Sequence, residues 1–341
     1  MIKIKSPTRV DLAGGTLDMW PLYNFTGGAT TINVAIDIWT RVDLTLNTDK
    51  TIQIESLDLK EKWLFKSYQD FKTSTDPKIK LYQSIIFKFE KDFTQKLNEG
   101  FLLVTQSESP IGGGLGGSSS LVISLLKAFA KAFAFKFKNS HEMVHWAHNI
   151  EAEVLNTPTG TQDYYPAITG GLNQLDYSAY GIEQKVLETQ GSPLYDNFLL
   201  MYTGRTHHSG LNNFEVLKSA VAKDQKVMGA LQQIKIIADQ MQHALETKNW
   251  TIIPELFQAE YKARIQLTPA FTSPEIEKLH EIGLSNGADA VKICGAGGGG
   301  CVLIWVKPAF RQKVIEACEK EKFQSLNARP VSPLSDLSDY L

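Results

Sequence analysis

Apolar and polar residues alternate over Ile38–Leu46 and again over Thr51–Ser56, the period-2 pattern of half-buried strands. Met1–Lys5 alternates in the same way, and Lys62–Phe65 predicts a further short strand. Over Lys80–Phe93 the period changes, placing Leu81, Ile85 and Phe89 on one helical face. Phe101–Thr105 is an apolar run leading into a glycine cluster. From Leu121 onward apolar and small residues mix, with Lys127, Lys131, Lys136 and Lys138 at the far end. That is a helix with cations near its negative pole, and Ser118 is a suitable N-cap for it. Asn139 and Ser140 cap a further helix from His141 to about Leu155, which Thr157-Pro158-Thr159-Gly160 stops.

The Gly/Ser/Pro/Asp/Asn cluster at Gly191–Asn197 predicts a domain boundary, dividing the chain into residues 1–193 and 194–341. Beyond it Phe198–Tyr202 reads as a strand, and helical stretches lie near Phe214–Ala222, Asp224–Leu245 and Ile252–Ile265. Ser273-Pro274 opens another helix with N-cap and N1 residues in their preferred places, and Asn286-Gly287 closes it. Ala290–Cys294 and Cys301–Val306 are strands flanking a glycine run. A helix from about Pro308 and a strand near Ala328–Val331 complete a β-α-β-β-α-β order, a ferredoxin-like layer with extra helices. The fold class is α+β.

Composition narrows the class. A chain of 341 residues, 43% hydrophobic and 21% charged, is an ordinary globular protein long enough for two domains. Its net charge of -2 gives no general attraction to nucleic acid or to an anionic membrane. The opening MIKIKSPTRVDL lacks the apolar core of a signal peptide, and lysines interrupt the most apolar run, Leu121–Phe137. Cys294, Cys301 and Cys318 are too few and scattered for a disulfide framework. The expectation is a cytoplasmic monomer or homodimer that acts on a small molecule.

Candidate chemistry centres on Ser109–Lys138. Gly112, Gly113, Gly114, Gly116 and Gly117 precede Ser118, Ser119 and Ser120 at the start of the predicted helix. A glycine loop feeding a helix N-terminus offers free N–H groups and the positive dipole end to phosphate. It is not a Walker loop, because no lysine follows Gly117. It is a poor dinucleotide fingerprint too. Such a site wants an acidic residue about 20 positions on, and Ser109 to His141 contains none. A competing motif is His141-Glu142-Met143-Val144-His145, a HExxH string with His148 three residues later on the same helical face, the pattern of a zinc hydrolase. The pair His207-His208 is a turn or a contributor to an acceptor pocket.

Three glycine-rich stretches, PTRVDLAGGTLD (7–18), PIGGGLGGSSS (110–120) and KICGAGGGGC (292–301), closely resemble in order and separation the three motifs of the GHMP kinase superfamily. The resemblance spans nearly the whole chain. It implies a ribosomal-protein-like α/β N-terminal domain, a ferredoxin-like C-terminal domain, and ATP-dependent phosphorylation of a hydroxyl with Mg²⁺. It further implies that Pro110, Gly112, Gly113, Gly114, Leu115, Gly116, Gly117, Ser118 and Ser119 bind ATP. Ser118 aligns with the family's metal-binding serine. Glu151, seven residues before Pro158, stands at the metal-binding carboxylate, with Glu153 as its near competitor. Asp163 takes the place of the catalytic aspartate, with Arg9 as the cation that keeps it ionised. Asp18 and Gly15 in the first motif, and Gly297 and Gly298 in the third, fall at substrate positions, the latter pair beside Gly295 and Gly299. The Ala-Gly-Gly-x-x-Asp start and the Gly-x-Gln-Asp turn are most similar to the sugar-kinase branch that contains heptose 7-phosphate kinases. Mevalonate-type and galactokinase-type kinases, and a non-catalytic sugar and ATP sensor, are the alternatives within the fold.

Overall fold

The chain, described by a computed structural model over residues 1–188, 191–206, 209–335 and 337–341, opens with two strands longer than their alternation predicts. β1 (Ile2–Ala13) and β2 (Ala29–Leu46) pair antiparallel from Ile2 opposite Leu44 to Ala13 opposite Ile32. The stretch from Ser6 to Ile36 reads as strand-like material punctuated by Gly14-Gly15 and Gly27-Gly28, and its strands lack alternation because both faces are covered there. Ser6, Thr8, Arg9 and Asp11 of β1, and Thr30, Thr31 and Asn33 of β2, are buried despite being polar. A strand without a solvent face shows no apolar-polar alternation. The short helix α1 (Leu22–Phe25) lies between the two strands.

Among the described residues the first sheet has seven strands, and β2 is its spine. β3 (Ile52–Ser56) and β4 (Glu61–Phe65) form a hairpin, and β5 (Phe101–Ser107) pairs parallel with β3 and antiparallel with the C-terminal half of β2. α2 (Tyr68–Thr73) and α3 (Lys80–Glu99) connect β4 to β5. After β5 come α4 (Gly117–Phe133), α5 (Ser140–Leu155) and α6 (Tyr164–Thr169). β6 (Leu172–Ser178) pairs with the N-terminal half of β2, and β7 (Gly181–Leu187) completes that edge.

α4 packs on β1 and β2, with α3 and α5 beside it. Its burial follows from composition, since Val122, Ile123, Leu125, Leu126, Ala128, Phe129 and Ala130 are all inaccessible. Phe89 of α3 gathers Phe129, Phe133, Phe135 and Trp146, with ring centroids 5.6–6.0 Å away. Side chains of this size each contribute about 1.5–3 kcal/mol by leaving water. They hold α4 rigidly, and with it the loop at its N-terminus. One of the four lysines of the predicted helix end is internal: Lys127 is fully buried and donates to the carbonyls of Ala167 and Ile168 at the end of α6.

The second sheet begins after α7 (Pro193–Asn197) with β8 (Phe198–Tyr202). α8 (Ser209–Val221), α9 (Gln225–Glu246), α10 (Ile253–Arg264) and α11 (Pro274–Ser285) follow, then β9 (Ala288–Ile293), β10 (Cys301–Val306), α12 (Pro308–Lys320) and β11 (Gln324–Leu326). Among the described residues the strand order is β11-β8-β10-β9, and every pair is antiparallel. This is the ferredoxin-like arrangement expected from the element order. Ser273 caps α11 as predicted, accepting from the Ile276 N–H.

The strand expected at Ala328–Val331 is not part of this layer. β11 ends at Leu326, and the chain then returns to the first sheet. The Asp37 N–H donates to Arg329 O and the Val331 N–H to Ala35 O, while Gly171 and Leu334 bond across to Val331 and Thr169. The tail thereby fills the stretch of β2 between its pairings with β6 and β5. Pro330 and Pro333 lack N–H groups, which limits the contact to isolated bridges.

Candidate active site

The three glycine stretches meet. The Arg9 N–H donates to Leu115 O at 3.0 Å, and the Cys301 N–H donates to Gly113 O at 2.8 Å. A Cβ on Gly295 would stand 3.0 Å from Gly114 O, so the third loop rests on the second. They surround a cleft of about 400 Å³ whose wall includes Gly112–Ser119, Asp18, Glu151, Asp163, Gly295 and Ala296.

Gly112, Gly114 and Gly116 have φ of +65°, +72° and +68°, the left-handed region that side chains resist. Gly116, not Ser118, is the N-cap of α4, and Ser118 lies inside the first turn. Among the described residues no side chain caps this terminus, and its first turn holds no acid. The free N–H groups and the dipole therefore face the cleft, a ready seat for an anion.

Glu151 and Asp163 lie beside this terminus. Glu151 is buried, and its Oε2 accepts from the Ser119 hydroxyl and from Tyr164 Oη, each at 2.7 Å. Ser118, the serine expected to share a metal with Glu151, also lines the cleft, but the direct bond to Glu151 comes from Ser119. Glu153 is exposed on the far side of α5, so its competing assignment has no support in the geometry. Tyr164 was missed from sequence. Only the proximity to Asp163 pointed to it.

Arg9 donates from Nε to Asp163 Oδ1 at 2.7 Å and from Nη1 to Gly114 O at 2.7 Å. Burial opposes its charge, yet the Asp163 carboxylate holds the guanidinium above the usual arginine range. Asp18 is nearly inaccessible and accepts from the Gln162 N–H at 3.1 Å. Burial first, and then the Asp163 charge, push its carboxyl up to about 6.

The substrate glycines separate on inspection. Gly295 and Ala296 line the cleft, whereas Gly297 and Gly298 turn toward Phe271, whose carbonyl accepts from the Gly298 N–H. A Cβ on Gly297 would stand 2.0 Å from that oxygen. Gly15 packs on Asp11 and Gln162. A further group absent from the sequence reading is a buried set of four charges: Asp11, Glu260, Arg264 and Lys292. The Glu260/Arg264 spacing of one helical turn was its only advance sign.

The histidines of the HExxH string do not converge. His141 Nδ1 pairs with Tyr165 Oη at 2.9 Å, His145 with Asn149, and His148 Nε2 with Thr159 O at 3.1 Å. Glu142 folds back onto the Lys138 N–H. Among the described residues no three His, Cys, Asp or Glu side chains are grouped to hold a metal. The zinc-hydrolase alternative is thereby overturned. His207 and His208 lie outside the described residues. No described helix is long and apolar enough to cross a membrane.

A glycine-wrapped helix terminus facing two carboxylates and an arginine defines an ATP-dependent phosphotransferase acting on a hydroxyl group. The GHMP kinase N-terminal domain model matches residues 81–171, and the GHMP kinase C-terminal model matches 241–324. The chain belongs to the GHMP kinase superfamily. It is 29% identical to the D-glycero-alpha-D-manno-heptose 7-phosphate kinase of Campylobacter jejuni, over 94% of both chains. A D-glycero-D-manno-heptose 1-phosphate kinase structure from Bacteroides thetaiotaomicron superposes with a TM-score of 0.79 at 20% identity, covering 98% of this chain and 97% of that one. A putative sugar kinase from Campylobacter jejuni superposes at 0.74 with 26% identity, over 96% and 95%.

Proposed function

We propose that this chain transfers the γ-phosphate of ATP to a hydroxyl of a sugar or sugar phosphate, with a heptose phosphate as the leading acceptor. The observation that carries the reading is the placement of Asp163 beside the N-terminus of α4, held by Arg9, within the same cleft as Asp18. The similarity to a heptose 7-phosphate kinase over nearly the full length supports the acceptor class.

In this reading the amides of Gly116–Ser119 hold the phosphates, and the helix dipole offsets their charge. Asp163 accepts a hydrogen bond from the acceptor hydroxyl and takes its proton as the new P–O bond forms and the bond from the γ-phosphorus to the bridging oxygen breaks, releasing ADP. Arg9 holds the Asp163 carboxylate correctly turned. Asp18 accepts from other hydroxyls of the acceptor and fixes which one faces Asp163.

The donor set fits magnesium, which prefers a few hard oxygens completed by water and phosphate. Glu151 and Ser118 offer such oxygens at the cleft wall. Two donors already hold Glu151 Oε2, which orients its carboxylate. Bound magnesium neutralises phosphate charge.

An ATP-consumption screen against heptose 7-phosphates, fucose, mannose, galactose and mevalonate tests the reading. Turnover confined to a sugar or sugar phosphate is expected. Turnover with mevalonate alone, or ATP binding without turnover on any sugar, refutes it.

A further inference from the structure

Arg264, near the end of α10, sits where the two sheets' domains meet, and its donors are fully committed. Nε donates to Glu260 Oε1 at 2.6 Å, and Nη2 to Asp11 Oδ2 at 2.8 Å, to Gly15 O at 3.2 Å and to Glu260. Nη1 reaches Gly295 O at 3.3 Å and Thr16 Oγ1 at 3.4 Å. One guanidinium thus ties the turn after β1 to the loop between β9 and β10. Lys292 Nζ completes the set. It donates to Asp11 O at 2.6 Å and lies 3.6 Å and 3.7 Å from the Asp11 and Glu260 carboxylates.

The group is electroneutral, two acids against two bases, with all four side chains at 0–1% exposure. Buried ion pairs contribute little net stability against apolar packing, whereas breaking one strands a buried charge. Four such charges buried together therefore call for a reason besides stability. Arg264 lines the cleft but has no N–H to spare for a ligand, because its five donors already face six acceptor contacts.

We infer that Arg264 is a positioning residue: its planar fork sets the Gly14–Leu17 turn against the third glycine loop, and so seats the acceptor against Asp163. The inference rests on the proposed kinase reading. Lysine keeps the charge but presents one point donor set in place of the fork, and cannot span five separate groups. A misplacement of about 1 Å in such a site costs on the order of 100-fold.

Two variants test it: Arg264→Lys, and the charge-balanced pair Glu260→Gln with Arg264→Gln. The expected result is a fall in kcat/KM for the acceptor of roughly 10- to 100-fold, with KM for ATP within about twofold of the parent. Amide hydrogen exchange should quicken together at residues 14–17 and 295–300, and stay unchanged at 118–121. An unchanged acceptor kcat/KM, equal shifts in both KM values, or faster exchange confined to α10 overturns the inference. So does failure of both variants to fold, which assigns the group to stability alone. The exchange experiment needs no acceptor. An inactive parent chain would therefore refute the function while leaving Arg264 to be judged separately.

Discussion

Arg9 and Asp163 are 154 residues apart in sequence and joined by a 2.7 Å hydrogen bond, with the same guanidinium holding Gly114 O. The carboxylate and the glycine loop are therefore set by one side chain. Asp163→Asn keeps an oxygen to accept from Arg9 but loses the charge and the basicity. We expect a folded protein, destabilised by about 1–3 kcal/mol from the weakened bond, with kcat lower by roughly 10²–10⁴. Thermal melts beside steady-state turnover check this, and near-normal turnover would remove Asp163 from the reaction.

Gly116 separates backbone strain from collision. Alanine there meets φ of +68° and places a Cβ 3.1 Å from the Asp163 carboxylate, whereas alanine at Gly27 meets φ of +71° with nothing among the described residues within 4 Å. Both substitutions should cost about 1–2 kcal/mol of stability from the left-handed backbone. Only Gly116→Ala should also cut kcat, by at least about tenfold. Equal activity in the two variants would contradict the placement of Asp163 against the loop.

Asp18 carries a pH signature. Burial raises its carboxyl from 3.8 to about 6 in the folded chain. The folded state therefore holds this proton more tightly, and stability falls as pH rises from about 4 through about 6. The full penalty above pH 6 is on the order of 3 kcal/mol. Asp18→Asn should raise Tm at pH 7.5, with the gain disappearing below about pH 4. In the parent, KM for the acceptor should rise below pH 6 as the acceptor-holding carboxylate is protonated. A Tm difference that does not vary with pH would show that folding leaves the proton affinity of Asp18 unchanged.

Tyr164 should matter for metal without touching it. Tyr164→Phe removes one of the two 2.7 Å donors on Glu151 Oε2 and loosens that carboxylate. We expect the magnesium concentration for half-maximal rate to rise roughly 10- to 100-fold. Paramagnetic detection of Mn²⁺ bound with nucleotide should weaken in parallel. Glu151→Gln should show the same loss or a larger one. An unaltered metal requirement in both variants would separate Glu151 from the metal.

Most of the second domain was legible in sequence because its signals are local. Ser273-Pro274 opens α11, and the two strands around the third glycine loop are short apolar runs bounded by glycine. The glycine stretches themselves were legible because only a few backbone geometries need so many positive φ angles. What failed was local reasoning about residues serving distant partners. Lys127 reads only as one of four cations at the negative pole of a helix, yet it bonds the carbonyls of Ala167 and Ile168. The HExxH spacing was right for a metal, but each imidazole had a different neighbour waiting in the fold. β6 and β7 went unpredicted, since β6 contains buried Asn173 and Gln174 and breaks the apolar pattern.

The bridge from Pro330 to Ile36 has a consequence for how the molecule is made. During synthesis, β2 leaves the ribosome early, but its middle segment lacks its edge partner until residues 329–334 are free of the exit tunnel. The nascent first domain must therefore wait, incompletely zipped, while the whole second domain is translated. A stalled ribosome bearing residues 1–300 should present a protease-sensitive Ala35–Asp37 that release of the finished polypeptide protects.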